Sequence, residues 1–315
     1  MVTFLVGISW GGNGFPWQSA ETLVPVFIGA AGLIITLFYE HRYAKSPFLK
    51  KVLFRDASAS TVYILGLLQG FILYGQLYYV PFYFLSVKQK TPTMAGVAML
   101  PVTALLVPGS IISGVLVSRL NAYRWSIWMG WALVSIALGL FVSWNVDTHL
   151  IVSIVTLAIA GIGHGLILNA QTFVTGAIVD PHNSGHAAAM YLFMRMLGSA
   201  IGVNVGSTTF QNVMVIELKR KGISRSIAQH AEEYLDVLQT LPDDTFKNAV
   251  LSLYAFGFKG VYGVYVALAA VAFAASFFIR HYDLNKDHKP DHRLDRLDGN
   301  RLVGNPGPSG PGSSH

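Results

Sequence analysis

Seven apolar runs fill the chain from Glu21 to His281, and none contains an Asp or a Glu: 22–39, 61–86, 94–118, 125–144, 149–177, 187–212 and 259–281. Each is about 18–29 residues long, enough to cross a hydrocarbon layer of roughly 30 Å as a helix at about 1.5 Å per residue. A single run of this kind fits a buried core helix. Seven in series, each bounded by charge or turn residues, describe a polytopic membrane protein whose first partner is the lipid bilayer.

The charge distribution agrees. Of the 315 residues only 12% are charged, against about 25% in a soluble domain. The formal net charge of +6 comes from 22 Lys and Arg, of which six lie from Arg280 onward and five between Arg42 and Arg55. These are loop charges beside helix ends, so they mark topology and not a nucleic-acid face. There is no cysteine, which rules out disulfides and Cys-ligated metals. No metal or cofactor motif stands in a suitable context, and neither does HExxH, Walker A, GxSxG or GxGxxG. With no paired buried acids either, the residues do not describe an enzyme.

Alternation gives the orientation. Lys and Arg number five in 40–60, two in 119–124 and none in 178–186, against two in 87–93 and none in 9–21 or 145–148. The positive-inside rule puts 40–60 and the C-terminal tail in the cytoplasm. The connection 213–258 faces outward despite Lys219, Arg220, Lys221, Arg225 and Lys247. It reads as two surface helices, one capped by Ser224 or Ser226 and one by Asp243 or Asp244, separated by Pro242. It serves either as an external gate or as a solvated connector, the commoner case. From about 283 the chain is polar and rich in Gly, Pro and Ser, as a disordered tail is. Residues 1–10 resemble the last turns of a helix whose beginning is missing.

Polar residues are unevenly shared among the runs. Those at 61–86 and 149–177 carry Gln69, Gln76, Tyr79, His164, Asn169 and Gln171. Gln69, Gln76 and Tyr83 step by seven and share a face, as do His164 and Gln171. These two helices are expected to line an interior, with 125–144 and 259–281 facing lipid. Interhelical hydrogen bonding is the structural alternative for each polar residue. Arg195 is the one Lys or Arg deep within a run, and an intramembrane charge is costly. It contacts an anionic substrate or a coupling carboxylate, or else it pairs with Asp180 or snorkels to the interface, the more usual outcome. Gly198, Gly202 and Gly206 form a small-residue row for close helix packing. His164 in GIGHG is either a proton relay or, more commonly, a hydrogen-bonded histidine of a helix bundle. Pro101 and Pro108 predict kinks in 94–118.

The segments ISWGG-x-x-x-PW-x-SAxTLVP (8–25), LQGFILYGQLYYVPFYFLSVK (68–88), SRLNAYRWSIWMGW (118–131), GIGHGLILN (161–169), AAAMYLFMRMLGSAIGVNVGSTTFQN (187–212) and HYDLNK (281–286) together resemble the fungal fourteen-helix, drug:proton antiporter branch of the major facilitator superfamily. The resemblance implies an all-α membrane bundle with seven complete transmembrane helices and the N-terminal half missing. Residues 1–60 are then the end of one linker helix, the second linker helix and a cytoplasmic loop. Residues 61–282 are the C-terminal six-helix half, and 283–315 the cytoplasmic tail. The first helix of each three-helix repeat lines the cavity and the third faces lipid.

The implied function is proton-coupled efflux of small organic molecules at the plasma or vacuolar membrane. Gln69, Gln76, Tyr79, His164, Asn169, Gln171 and Arg195 are the substrate-path candidates. Protons and a small organic substrate are the partners, with the missing half or a full-length relative as a further one. The alternative is a non-transporting truncated or regulatory protein that pairs with such a relative. Gly114, Arg119 and Arg124 fit the family's gating loop, whereas Ser118 stands where that pattern has Asp and Asn121 where it has Gly.

Overall fold

The computed structural model describes Thr3, Gly7, residues 18–42, 51–54, 56–179 and 181–221, Ala231, Tyr234, Leu235, Leu238 and residues 245–280. The chain divides into Met1–Asn285 and Lys286–His315, and the described residues all belong to the first unit. The tail from 281, Asp180, most of the gate or connector helix expected at 224–239 and most of residues 1–17 lie outside the described residues.

Every described regular element is helical. In chain order they are α1 Ala20–Arg42, α2 Ala57–Ser86, α3 Pro92–Ala98, α4 Leu100–Leu120, α5 Arg124–Val142, α6 Leu150–Ile178, α7 Ser184–Lys221 and α8 Thr245–Ser276, with short 3-10 turns at Lys51–Phe54 and Pro181–Asn183. Among the described residues, six segments are long and apolar enough to cross a membrane: α2, α3–α4 together, α5, α6, α7 and α8. The run expected at 22–39 lies within α1, a helix of 23 residues.

Local chemistry sets the boundaries. Pro101 cannot continue the α3 hydrogen-bond ladder, and the helix breaks at Met99 before resuming as α4. Pro108 sits inside α4 without breaking it. Thr91 caps α3 by accepting from the Met94 N–H, with Pro92 at the first helical position. Asn121 closes α4 with φ 49° and ψ 31°. In that left-handed conformation a Cβ crowds the next carbonyl, and Asn tolerates it better than any residue except Gly. The substitution of Asn for the expected Gly therefore keeps the turn. Asn121→Val is expected to lower stability by about 1–2 kcal/mol and Asn121→Gly to leave it unchanged or higher, as read by thermal unfolding in detergent.

The connection expected at 213–258 is shorter at both ends than the apolar runs suggest. Helix α7 continues nine residues past 212, to Lys221, and α8 begins at Thr245, not 259. The helix expected at 243–256 is thus the start of the last span. Lys247 is buried within its first turn, and Val250, Leu251, Leu253 and Tyr254 carry its apolar face straight into the bundle.

Helix α2 packs along α7, α4 and α5 pack on α6, and α8 joins α5, α7 and α2. At the end carrying Lys88 and Asn145, rings from four helices interlock. Phe258 of α8 lies against Phe82 and Tyr83 of α2 and Phe210 of α7, and Phe141 of α5 stacks on Tyr262 with centroids 5.0 Å apart. Such pairs contribute about 0.5–1.5 kcal/mol each beyond the area they bury. The Tyr83 hydroxyl donates to the Asn145 carbonyl, and the Lys88 ammonium donates to those of Val146 and Thr148. Burial holds Lys88 below the ordinary lysine value, against the opposing pull of Asp147.

The burial pattern separates the helices. In their most apolar windows 61% of α2 and 50% of α6 is buried, against 17% of the α3–α4 segment and 22% of α7. The interior placement of α2 and α6 matches their polar content. Helices α5 and α8, expected to face lipid, each bury one side against the bundle while Met129, Ile136, Val271 and, just past α8, Phe278 stay exposed. Their Trp131, Phe141, Tyr262 and Tyr265 are fully buried, and α4 and α7 are left with the larger open apolar faces.

Candidate functional site

The polar residues of α2 and α6 meet inside the bundle. Gln69, Gln76, His164 and Gln171 are buried to 3% exposure or less. The Gln76 Oε1 and His164 Nε2 atoms are 2.8 Å apart. Because that oxygen only accepts, Nε2 carries the proton and Nδ1 presents a lone pair. Seven residues before Gln76 on α2 and seven after His164 on α6, Gln69 and Gln171 extend the same polar face. Gln171 Oε1 accepts from the Tyr191 hydroxyl of α7 at 3.1 Å. Both polar atoms of the Gln69 side chain are buried without a partner, as are Gln76 Nε2, Gln171 Nε2, His164 Nδ1 and Arg195 Nε.

Glycines bring Arg195 here. Helices α2 and α7 run parallel, and a Cβ on Gly70 would overlap the Arg195 carbonyl, one on Gly198 that of Leu67, and one on Gly202 that of Phe71. At Gly66 a Cβ would meet the Tyr191 ring at 2.8 Å. This backbone-to-backbone approach packs the turn of α7 that carries Arg195, one turn after Tyr191, on the Gly70 turn of α2. Its charge acts on both His164 and Tyr191. Gly206 continues the row against the rings of Tyr79 and Tyr265.

Two of the substrate-path candidates stand apart from this cluster. Tyr79 is buried between α2 and α7, with its hydroxyl donating to the Val203 carbonyl at 2.9 Å, while Tyr265 donates to Gly202. Asn169 lies on the α4 side of α6, donating through Nδ2 to the Ser110 carbonyl. Five residues separate it from His164, which turns it about 140° around the helix at 100° per residue.

In the gating loop, Gly114 faces the Asn169 amide, Arg119 is exposed in the last turn of α4, and Arg124 sits 4.7 Å over the Trp128 ring. A network not anticipated from the sequence joins α4, α5 and α6: the Ser113 and Ser126 hydroxyls are 2.6 Å apart, and both reach the Leu166 carbonyl. Around it a Cβ at Gly161 or Gly165 would come within 2.5 Å of the Val102 or Leu106 carbonyl, and one at Gly163 within 3.0 Å of Gly130 O. The GIGHG glycines are the signal that could have located it, because they allow α6 to touch α4 on one side and α5 on the other.

The described residues form concavities at the border of the bundle. A groove of ≈ 400 Å³ between α2 and α7 is lined by Tyr74, Leu77, Tyr78, Ser199, Ala200 and Val203. A larger one, ≈ 660 Å³, lies at the Asn145 end among Asp147, Glu217, Ser252 and Lys259. Neither is lined by the buried glutamines.

Six long apolar helices enclosing unpaired polar side chains define a polytopic bundle of the transporter type. A family model of the Major Facilitator Superfamily matches residues 1–203, and the chain belongs to that superfamily of membrane transporters. It is 31% identical over 286 residues to the MFS transporter L2 of a Phoma species, covering 90% of this chain and 48% of that protein. It is 28% identical over 292 residues to the MFS efflux transporter aclA of Aspergillus oryzae, covering 90% and 53%. The chain thus spans about half the length of these curated relatives. Its fold matches a bacterial homologue of the human lysosomal transporter Spinster, in an inward-facing and unoccupied conformation, with a TM-score of 0.58. That match has 18% identity and covers 87% of this chain and 62% of the other.

Proposed function

We propose that this chain forms one wall of a proton-coupled exporter of small amphipathic organic molecules, of the drug:proton antiporter branch. The observation that carries the reading is the cluster of buried, incompletely paired polar groups on α2, α6 and α7. Lipid offers such groups no partner, so leaving them unpaired is costly unless they serve hydration or ligand binding. The tyrosine-lined groove between α2 and α7 lies within the usual size range of small-molecule sites, about 300–1,000 Å³. The relatives named as efflux transporters support the direction of transport.

On this reading residues 61–282 are the C-terminal six-helix half, entered from a cytoplasmic loop at 40–60 and leaving to a cytoplasmic tail. The connection between α7 and α8 is external, and the membrane is the plasma or vacuolar one. Alternating access requires an opposing set of helices. The open apolar faces of α4 and α7 suit it, whether those helices are an N-terminal half or a full-length relative. The described spans hold no carboxylate in their apolar middle, so the proton-coupling acid belongs to the opposing half.

Gln76→Leu combined with Gln171→Leu is expected to raise cellular accumulation of the exported compounds severalfold, with the protein still reaching the membrane in normal amount. Unchanged accumulation of every compound in the panel would remove these residues from the path.

A further inference from the structure

We propose that Arg195 and the side-chain amides around it bind the carboxylate of a small organic monoanion, which makes carboxylate-bearing compounds the substrate class of the pathway proposed above; the inference rests on that reading. The argument is one of donors and acceptors. Arg195 Nε and the amide nitrogens of Gln69, Gln76 and Gln171 are buried donors without a partner, whereas the open acceptors among these residues are Gln69 Oε1 and His164 Nδ1. The site therefore has an excess of N–H groups and one permanent positive charge.

The geometry holds these groups together. Gly70, next in sequence to Gln69, seats the Arg195 backbone against α2, and Gln171 holds Tyr191, one turn before Arg195. The Gln76–His164 pair closes the far side about 10 Å along the axis, seven residues at about 1.5 Å each. No Asp or Glu occurs in α2, α4, α5, α6 or α8, and the acid of α7, Glu217, lies 22 residues from Arg195, about 33 Å along the helix. These helices, then, bring no acid near the guanidinium.

Water would satisfy the donors but would not neutralise the charge. A carboxylate does both. Its two oxygens accept from the planar guanidinium fork and still have lone pairs for amide N–H groups. One arginine matches one negative charge, which favours a monoanion over a phosphate dianion.

The test is equilibrium dialysis of radiolabelled benzoate against the purified chain in detergent, in a chloride-free buffer, with benzamide as the uncharged isostere. The expected result is saturable benzoate binding that benzamide does not displace. Arg195→Gln should weaken it by about tenfold or more, because a charge-assisted pair at a half-buried guanidinium is lost, and Arg195→Lys should retain part of it. Gln69→Leu with Gln171→Leu is expected to weaken binding too, and carries the test if Arg195→Gln does not fold.

Equal binding of benzoate and benzamide, no benzoate binding, or wild-type binding in Arg195→Gln would overturn the proposal. So would displacement by chloride at concentrations below those of benzoate itself, since the occupant would then be an inorganic halide. Tighter benzoate binding in Asp180→Asn would also overturn it, by showing Asp180 to be the partner of Arg195. If efflux depends on Gln76 and Gln171 while benzoate fails to bind, the carboxylate assignment alone falls and the transport reading stands.

Discussion

Gly198→Leu is expected to prevent α2 and α7 from pairing at all. At this position the atom that a Cβ would strike is the Leu67 carbonyl oxygen, and the same relation recurs between Gly202 and the Phe71 carbonyl and between Gly70 and the Arg195 carbonyl. A flexible side chain can rotate away from an added methyl group, but a helix backbone cannot. Relief requires the two helices to separate along their contact, and separation removes the dispersion contacts that hold membrane helices together without a hydrophobic driving force. It also moves Arg195 away from the Gly70 turn of α2 and breaks the Tyr79 and Tyr265 bonds to the α7 carbonyls. Overpacking in a close-packed core costs about 1–3 kcal/mol even where side chains can adjust, so a backbone collision is expected to exceed that range. Gly198→Leu should give no monodisperse folded peak on size-exclusion chromatography in detergent. Gly139→Leu is the control, since a Cβ there meets nothing within 4 Å, and it should elute and melt as the parent protein does. A Gly198→Leu protein that melts at the parent temperature would contradict the α2–α7 register.

The second large effect is a coupling. Gln76→Leu removes the acceptor of His164 and leaves an imidazole at 0% exposure with both nitrogens unpartnered. An orphaned buried polar group costs about 1–3 kcal/mol, well above the roughly 0.6 kcal/mol net value of an average hydrogen bond between membrane helices. His164→Leu orphans the Gln76 oxygen in the same way. The double replacement orphans neither, so it is expected to be no less stable than either single variant. Unfolding free energies for the four proteins measure this directly. Additive losses would mean that the two side chains do not pair.

The sequence disclosed some of this more readily than the rest. Of the seven apolar runs, six coincide with the span-length helices among the described residues, and Pro101 marks the break at Met99, because those signals act locally through the backbone. Gln69, Gln76, His164 and Gln171 could be grouped in advance because a step of seven keeps a helical face, and polar groups avoid lipid. Asn169 and Tyr79 share helices with them, but each bonds another neighbour. The aromatic residues of α5 and α8 were illegible for a different reason. In a bilayer both the lipid and the protein interior are apolar, so Trp131 or Tyr262 carries no mark of which one it faces. The extension of α7 to Lys221 was hidden because polar residues are compatible with helix once the chain leaves the hydrocarbon. The Ser113–Ser126 contact depends on glycine-permitted approaches of α6 to α4 and α5, which only the three-dimensional register reveals.

The most direct measurement of the central claim is the accumulation of a panel of labelled amphipathic organic compounds, carboxylates among them, in cells that produce the protein and in cells that lack it, with and without a protonophore. The account predicts lower accumulation of at least one compound class when the protein is present, and loss of that difference when the proton gradient is collapsed. Identical accumulation in both cell lines for every compound, with the protein demonstrably in the membrane, would contradict export and would point to a non-transporting membrane partner.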